Sequence, residues 1–213
     1  MLALCALSLA AARASAADAG DVAKALELHY NRLATLQLDF EQEVSFGGRR
    51  RPIERGVLSL RRPGRMRWDY SRPEGKLLVG EGDRLEMFNP LTNQVRVIRL
   101  DPTADLRAPL AFLLGRLDFS RQFNNLELET IEGRPALTAE GRSGQETYGR
   151  VEFFYDPESY RLEEVRVHGK DQSLTTFRFS GERTNPNLDE AMFSFSAPPG
   201  AEVLPETELG ADN

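Results

Sequence analysis

The chain has 213 residues, of which 40% are hydrophobic, 28% charged and 8% aromatic, a composition typical of one globular domain. It excludes collagen-like, coiled-coil and largely disordered chains. The formal net charge of −6, from 27 basic and 33 acidic side chains, is the opposite of the balance that binding to a nucleic-acid backbone requires, so no nucleic acid is expected as a partner.

The N-terminus has the features of a secretory signal peptide. The apolar stretch 2–12 is too short to span a bilayer, and the small residues 14–16 fit the pattern of a cleavage site. We therefore predict a signal peptide over residues 1–16 and a single mature domain over residues 17–213. The one cysteine, Cys5, lies inside the signal. A lipidated N-terminal cysteine is the alternative, but Leu4 is bulkier than the small residue expected before such a cysteine.

The mature chain begins with a predicted helix and continues as a series of short strands. Apolar residues recur at three- and four-residue steps over residues 18–36, with Asp21 as the predicted N-cap, and the period changes to two from Gln37 onward. The later strand-like runs, separated by turn residues, are 56–60, 65–70, 76–79, 84–88, 94–100, 126–131, 135–139, 151–155, 162–168, 174–179 and 192–195. We interpret these runs as one large antiparallel sheet of about a dozen strands.

Short apolar helices are predicted between the two sets of strands. Residues 101–114 form an apolar segment that contains a short predicted helix, with Pro109 near the start of this helix and Gly115 at its end. A second short helix is predicted at 117–123. The proline-rich tail after Ala197 cannot continue a helix or a central strand. The sheet is therefore much larger than the helices available to cover it.

The sequence contains no catalytic or metal-binding motif. The two histidines, His29 and His168, lie outside any such motif, and the signatures of nucleophilic hydrolases, zinc enzymes and nucleotide-binding loops are absent. The carboxylates that composition alone offers for a glycosidase pair are Asp69, Glu81, Glu86 and Asp101. With 33 acidic residues along alternating strands, a solvated face is the simpler interpretation. We expect no enzyme, no catalytic residue, no metal and no cofactor.

Apolar side chains alternate along the first set of strands. Met66, Trp68 and Tyr70 fall on one face. The residues predicted to join them there are Leu58, Leu60, Leu77, Val79, Leu85, Met87, Val95 and Val97. Packing under helices explains such a face in any half-buried sheet. Only two or three short helices are available, however, so we expect part of this face to stay open for an apolar ligand.

Two arginines stand immediately before the turn at Pro63 and Gly64. Arg61 and Arg62 are neighbours on a strand, so they must point to opposite faces. The arginine on the apolar side needs acceptors, and the carbonyl groups at the end of a short helix suit it because they are unpaired and carry partial negative charge. The alternative is a solvent-exposed arginine in a basic turn.

The run 60–70, with Arg62, Pro63 and Gly64 followed by Trp68 and Tyr70, is the most distinctive stretch of the chain. The segments that accompany it are 40–42, 73, 76–85, 89–95, 109–115, 193–195 and 198–203. In this order the segments resemble the LolA family, the periplasmic carriers of outer-membrane lipoproteins, over about residues 21–204.

The resemblance implies a mainly β (α+β) fold, an unclosed antiparallel β-barrel of about eleven strands with a lid of short α-helices over an apolar cavity. It implies that Arg62 bonds lid-loop carbonyls near Leu114, Gly115 and Arg116 and so holds the empty cavity closed. The residues predicted to bind acyl chains in that cavity are Phe40, Leu58, Leu60, Met66, Trp68, Tyr70, Leu77, Val79, Leu85, Met87, Leu91, Val95, Val97, Leu110 and Leu113. Met66 stands where many members have a bulky apolar residue, and Leu91 where others have an aromatic one.

The resemblance also implies partners and a location. The cargo would be lipoproteins held by their acyl chains, loaded by an ATP-driven inner-membrane complex, LolCDE, and received by an outer-membrane receptor, LolB, where one is present. The location would be the periplasm, and we expect a monomer. The alternative function is a periplasmic lipid-sensing regulatory protein on the same fold, which the predicted single domain disfavours. A secreted hydrolase of lipid or glycan has no motif to support it.

Overall fold

Helix α1 (Ala19–Asn31) is the first element of the fold in the computed structural model, which describes residues 18–82, 84–99, 117–142, 144 and 147–208. Asp18 is its N-cap and accepts a hydrogen bond from the backbone N–H of Asp21 at 2.8 Å, so the predicted cap at Asp21 is wrong. Asp21 lies in the first turn, where a carboxylate is favoured by the helix dipole. The helix also ends earlier than predicted, because Leu36 already belongs to the first strand.

The described strands form one sheet. They are β1 (Thr35–Phe46), β2 (Arg49–Arg50), β3 (Glu54–Arg61), β4 (Arg65–Arg72), β5 (Glu74–Glu81), β6 (Arg84–Asn89), β7 (Gln94–Arg99), β8 (Phe123–Ile131), β9 (Arg134–Gly141), β10 (Tyr148–Tyr155), β11 (Leu162–Gly169), β12 (Ser173–Thr184) and β13 (Glu202–Glu208). A short helix, α2 (Phe119–Gln122), precedes β8, and a 3-10 helix (Glu190–Phe193) lies between β12 and β13. None of the helices described is long and apolar enough to span a bilayer.

The order of the strands across the sheet is β13-β7-β6-β5-β4-β3-β1-β12-β11-β10-β9-β8, with β2 paired to β1. The pairs are antiparallel except for β13 and β7, which are parallel. β8 and β13 are the two edges, so the sheet is not closed. The predicted fold class, a mainly β protein built on a large unclosed antiparallel sheet, is therefore confirmed.

Several predicted segments differ from the structure or lie outside it. The run 192–195 is not a strand, because the 3-10 helix occupies its first half. The tail forms β13 at an edge of the sheet, where its proline removes no hydrogen bond from a central ladder. The predicted signal peptide 1–16 and the apolar segment 101–114, with the short helix predicted within it, lie outside the described residues.

One side of the sheet carries rows of opposed apolar residues, which we call the inner face. Directly opposed residues on neighbouring strands share a face. One row contains Leu38, Leu58, Trp68, Leu78 and Met87, and the next contains Leu36, Leu60, Met66, Gly80, Leu85 and Ile98. The face continues across β12 to β9 through Phe177, Val165, Phe153 and Leu137.

The second half of the inner face is covered by helices. Phe119 of α2 packs against Phe153 with ring centroids 5.1 Å apart, and Phe123 packs against the same ring at 5.5 Å. Helix α1 buries Leu26 and Tyr30 in the same core, next to β8, β9 and α2. This half is a closely packed interior.

Four residues predicted on the inner face lie on the opposite, outer face. Leu77 and Val79 are opposite Asp69 and Arg67 on β4, whose side chains alternate with Trp68. Val95 and Val97 are opposite Phe88 and Glu86 for the same reason. The predicted face was wrong because β5 has three consecutive apolar residues, 77–79, and β7 has apolar residues on both faces, so alternation alone does not specify which side is inward.

The outer face needs apolar residues here because the chain after β12 covers it. Arg67 donates from Nη1 to the carbonyl oxygen of Met192 at 2.8 Å, and Phe193 of the 3-10 helix is buried. Val79 is buried on this side of the sheet.

Candidate functional site

An aromatic cluster forms the centre of the inner face. The ring of Phe40 lies edge-on to Trp68 at 4.7 Å and to Tyr70 at 5.0 Å between centroids, and Trp68 meets Phe177 at 6.0 Å. The indole N–H of Trp68 donates to the Sδ atom of Met66 at 3.3 Å. Because a thioether is a weak acceptor, this part of the face offers contact area and little hydrogen bonding.

Eight of the predicted acyl-chain residues share the inner face. They are Phe40, Leu58, Leu60, Met66, Trp68, Tyr70, Leu85 and Met87. All are buried except Met87, which is half-buried and lies between Leu78 and Arg96 in its row of opposed residues. A flexible methionine at this position can adapt to the shape of an apolar ligand.

The remaining predicted acyl-chain residues do not share that face. Leu77, Val79, Val95 and Val97 lie on the outer face, as described above. Leu91 is 83% exposed in the turn between β6 and β7, where its backbone N–H bonds the Oδ1 atom of Asn89 at 3.0 Å. Asn89, Pro90 and Asn93 are typical turn residues, and the turn that they form places Leu91 away from the sheet. Leu110 and Leu113 lie outside the described residues.

A charged pair borders the apolar region beyond Tyr70. The Nζ atom of Lys76 lies 4.3 Å from the centroid of the Tyr70 ring and 2.7 Å from the carboxylate of Glu54. This cation–π contact and ion pair give the apolar region a polar rim at that end of β3 and β5.

Arg62 is the arginine of the pair that points to the inner face, and it bonds the end of a helix, the type of acceptor predicted for an inward arginine. Its Nη2 atom donates to the carbonyl oxygen of Tyr30, in the last turn of α1, at 2.8 Å. Arg61 faces the other way and bonds the carbonyl oxygen of Leu188 at 3.1 Å. The predicted acceptors near Leu114, Gly115 and Arg116 lie outside the described residues.

The guanidinium of Arg62 is only partly satisfied. Its Nη1 atom is buried and has no hydrogen-bond partner among the described residues. Burial lowers the pKa of Arg62 from its usual value, because the surroundings disfavour the charged form. A further acceptor for Nη1 would stabilise the protein, because a buried charged donor costs free energy when it stays unbonded.

Tyr30 connects the end of α1 to two strands. Its hydroxyl donates to Glu182 on β12 at 3.0 Å and accepts from the backbone N–H of Leu162 at 2.8 Å. His29 also contacts Glu182, with 3.0 Å between Nε2 and Oε1. Burial, followed by the charge of Glu182, raises the pKa of Tyr30 well above its usual value, so the phenol stays neutral.

Asn31 fixes the chain just before α2. Its side-chain amide donates to the carbonyl oxygen of Leu117 and accepts from the N–H of Leu117, both at 2.8 Å. Leu117 comes three positions after the end of the apolar segment 101–114. The last turn of α1 therefore holds both Arg62 and the start of the segment that leads into α2.

A cavity of about 690 Å³ lies beside this junction, between α1 and α2. The residues that line it include Ala23, Glu27, Asn31, Leu117, Phe119 and Leu126. Glu27 accepts a hydrogen bond from the backbone N–H of Phe119 at 2.9 Å and so joins the two helices across the cavity.

The partners of α1 are not predicted from the sequence. The helical pattern predicts only that His29 lies on a helix face, and no pattern assigns a role to Tyr30, Asn31 or Glu182. Glu182 is 152 positions from Tyr30, and no local pattern marks such a pair. An amide at the end of a helix, as at Asn31, is the one signal that could have been found.

Three of the four carboxylates considered for a hydrolytic pair bond an arginine of the outer face. Asp69 bonds Arg67 at 2.7 Å, Glu81 bonds Arg65 at 2.9 Å and Glu86 bonds Arg84 at 3.1 Å. Asp101 lies outside the described residues. Within the part of the chain that the structure describes, His, Cys, Asp and Glu side chains form no group of three placed to hold a metal ion.

Comparison with known proteins gives consistent matches over most of the chain. The model of the family described as "Outer membrane lipoprotein carrier protein LolA" matches residues 31–196. An outer-membrane lipoprotein carrier protein of Nitrosospira multiformis is 31% identical over 173 residues, which cover 81% of this chain and 83% of that protein. One of Chromobacterium violaceum is 29% identical over 202 residues, covering 94% and 95%.

The fold is also similar to a solved structure. A conserved protein from Thermus thermophilus aligns with a TM-score of 0.54 at 14% identity, covering 89% of this chain and 99% of that chain. At this identity the likeness concerns the fold alone.

Proposed function

Because the chain belongs to the LolA family of outer membrane lipoprotein carrier proteins, we propose that it carries lipoproteins through the periplasm from the inner to the outer membrane. The family consists of carriers rather than enzymes. The observation that carries the proposal is the inner face, on which apolar and aromatic side chains from β1, β3, β4 and β6 form one continuous surface beside Arg62.

The physical need for such a carrier follows from the cargo. Three acyl chains of about 16 carbons, at about 0.8 kcal/mol for each methylene, would lose roughly 30–40 kcal/mol of favourable transfer free energy in water. Diffusion of the free lipoprotein is therefore negligible. Measured affinities saturate near roughly 18–21 kcal/mol, so a carrier that must also release its cargo can capture only part of this sum. A half-buried methionine and aromatic rings with few polar contacts suit such partial capture.

In this proposal Arg62 holds the empty carrier closed. Its bond to Tyr30 joins the β3–β4 turn to the end of α1, and the same helix end anchors Leu117. Acyl chains that enter between α1 and the inner face would break both of these contacts. Within the described residues the Nη1 atom lacks a partner, so it is available to the lid acceptors proposed for it. Leu114, Gly115 and Arg116 remain proposed acceptors in the lid.

The proposed partners complete the route. An ATP-driven inner-membrane complex of the LolCDE type would load the carrier, and an outer-membrane receptor of the LolB type, where present, would receive the lipoprotein. The predicted signal peptide would bring the chain to the periplasm, where we propose that it acts as a monomer.

Delipidation followed by reloading tests the proposal. Protein purified from a periplasmic extract is stripped of lipid, mixed with a synthetic triacyl lipopeptide and weighed by native mass spectrometry. The proposal expects one lipopeptide for each protein chain and no turnover of an ester. A protein that takes up no lipopeptide after delipidation, while remaining folded by circular dichroism, would contradict it. The same peptide without acyl chains is the control and should not bind.

A further inference from the structure

The β1–β2 hairpin presents an exposed aromatic side chain beside three consecutive arginines. Phe46 is the last residue of β1 and is 56% exposed. Gly47 and Gly48 form the turn with φ angles of 54° and 79°, a conformation that glycine adopts without strain. Arg49, Arg50 and Arg51 follow, all exposed. We call Phe46 and Arg49–Arg51 the hairpin tip.

The charge of the hairpin tip is largely uncompensated. Arg50 is paired with Glu43 at 3.2 Å, although the arginine side chain is 79% exposed. The side chains of Arg49 and Arg51 form no hydrogen bond or ion pair with any residue that the structure describes. The nearest turn across β12 adds Lys170 and Asp171, whose charges cancel. The tip is thus a local positive patch on a chain whose net charge is −6.

The position of the tip relates it to the inner face. Phe46 follows Phe40, Gln42 and Val44 at two-residue steps along β1, so it lies at the end of the same face. Arg62 is near the opposite end of this strand, since Thr35 pairs with Arg61. Twelve residues of β1 at about 3.4 Å each separate the two ends by roughly 37 Å.

We propose that the hairpin tip docks the protein on an anionic phospholipid membrane. Arginine attracts anionic headgroups, and its attraction acts within a Debye length, so the local patch matters more than the distant acidic side chains. An aromatic ring beside cationic residues partitions to the headgroup level of a bilayer. The tip would bring the end of the inner face to the membrane surface. This role goes beyond cargo binding and does not depend on the contacts of Arg62.

Sedimentation with lipid vesicles tests the proposal on protein purified from the periplasm. The probe is a vesicle of phosphatidylethanolamine and phosphatidylglycerol, compared with a vesicle of phosphatidylcholine alone. Binding is expected to the anionic vesicle only and should weaken as salt is raised. Equal binding to both vesicles, or to neither, would overturn the proposal.

Matched variants locate the contact. Arg49→Gln, Arg50→Gln and Arg51→Gln together should weaken vesicle binding by about fivefold for each arginine, and Phe46→Ser should weaken it further. The control replaces Arg84, Arg161 and Arg183, three exposed arginines toward the other end of the sheet, with glutamine and changes the net charge equally. The control should bind as the wild type does. An equal loss in both triple variants would show a response to net charge alone and overturn the proposal.

Two readouts separate this inference from the proposed function. The triple arginine variant should load triacyl lipopeptide normally, because Arg49, Arg50 and Arg51 lie outside the aromatic cluster around Trp68. If the wild type does not bind vesicles while the triple arginine variant fails to deliver lipoprotein, the membrane proposal is overturned. The hairpin tip would then bind an acidic protein. Failure of the wild type to take up lipopeptide would contradict the carrier function without affecting vesicle binding.

Discussion

Arg62 donates from Nη2 to the carbonyl oxygen of Tyr30 at 2.8 Å, across the gap between the β3–β4 turn and the last turn of α1. The two residues are 32 positions apart in the chain, and the contact joins the sheet to the helix that covers part of it. The neighbouring Asn31 holds Leu117 through two bonds. The end of α1 is therefore the point at which the sheet, this helix and the segment that leads into α2 meet.

Replacing Arg62 with leucine should loosen this end of α1 without unfolding the protein. A hydrogen bond from a charged donor contributes about 1.5–3 kcal/mol, but the same change removes a buried charge whose Nη1 atom has no partner among the described residues. We expect the free energy of unfolding to change by less than about 1 kcal/mol. Amide exchange at Arg32 and Leu33, which bond the same carbonyl oxygen, should accelerate about tenfold, as measured by hydrogen–deuterium exchange.

Arg61→Leu is the matched control for that variant. Arg61 faces outward and bonds Leu188 and Glu190, so its loss should affect exchange near the 3-10 helix and leave α1 unchanged. The proposed gate further requires that Arg62→Leu fail in lipoprotein delivery while loaded carrier accumulates. Normal transfer by Arg62→Leu would refute the gate.

A charge on the inner face should reduce binding of acyl chains. Leu85→Glu places a carboxylate among buried apolar residues, and Met87→Glu does so at a half-buried position where less stability is lost. We expect both variants to bind a fluorescent fatty acid at least tenfold more weakly. Leu91→Glu introduces the same charge on a side chain that is 83% exposed and should bind normally. Full binding by Met87→Glu would place the site elsewhere.

Gly56→Ala should be strongly destabilising. A Cβ atom at this position would lie 2.0 Å from the carbonyl oxygen of Asp69 and 2.9 Å from the ring of Phe40. The first contact is with backbone, so β3 and β4 must move apart, and we expect a loss of at least about 3 kcal/mol in urea unfolding. Gly149→Ala meets no atom within 4 Å and should change stability little. Similar stabilities for the two variants would contradict the β3–β4 register.

Tyr30→Phe should destabilise the protein at neutral pH and change its response to alkali. The variant leaves the N–H of Leu162 buried without its acceptor, a loss of about 1–3 kcal/mol. Because burial raises the folded-state pKa of Tyr30 above its unfolded value near 10, its contribution is complete below pH 10 and is lost as the pH rises further. The wild type should therefore lose stability above pH 10 more steeply than Tyr30→Phe.

Tyr160→Phe is the control for the alkaline response. It removes a phenol that is only half-buried, so it should retain the steep loss of stability of the wild type. Thermal unfolding at a series of pH values measures both effects. Identical alkaline profiles for the wild type and Tyr30→Phe would mean that another group causes the loss.

The sequence predicted the fold because its main signals are local. The two-residue period and the turn residues marked most of the strands, and adjacency placed Arg61 and Arg62 on opposite faces. It failed where a strand is apolar on both sides, as at Leu77 and Val79, because the face then depends on the register with β4. The cover of the outer face by Phe193 could not be predicted either, since this contact joins distant parts of the chain.

The candidate site was predictable to a similar extent. The alternation of Met66, Trp68 and Tyr70 was sufficient to locate the centre of the inner face. The acceptor of Arg62 was predicted by type, a carbonyl at a helix end, but not by residue. Tyr30, Asn31 and Glu182 act through pairings between distant segments, which no pattern in one sequence reveals.

Quenching of Trp68 fluorescence tests the central claim most directly, because Trp68 is the one tryptophan of the chain and lies in the middle of the inner face. The ligand is a triacyl lipopeptide with brominated acyl chains, which quench an indole only on close approach. The account predicts saturable quenching at one lipopeptide per protein, with none from the same lipopeptide lacking bromine. If native mass spectrometry detects bound brominated lipopeptide while Trp68 keeps its full fluorescence, the acyl chains lie elsewhere and the account is contradicted.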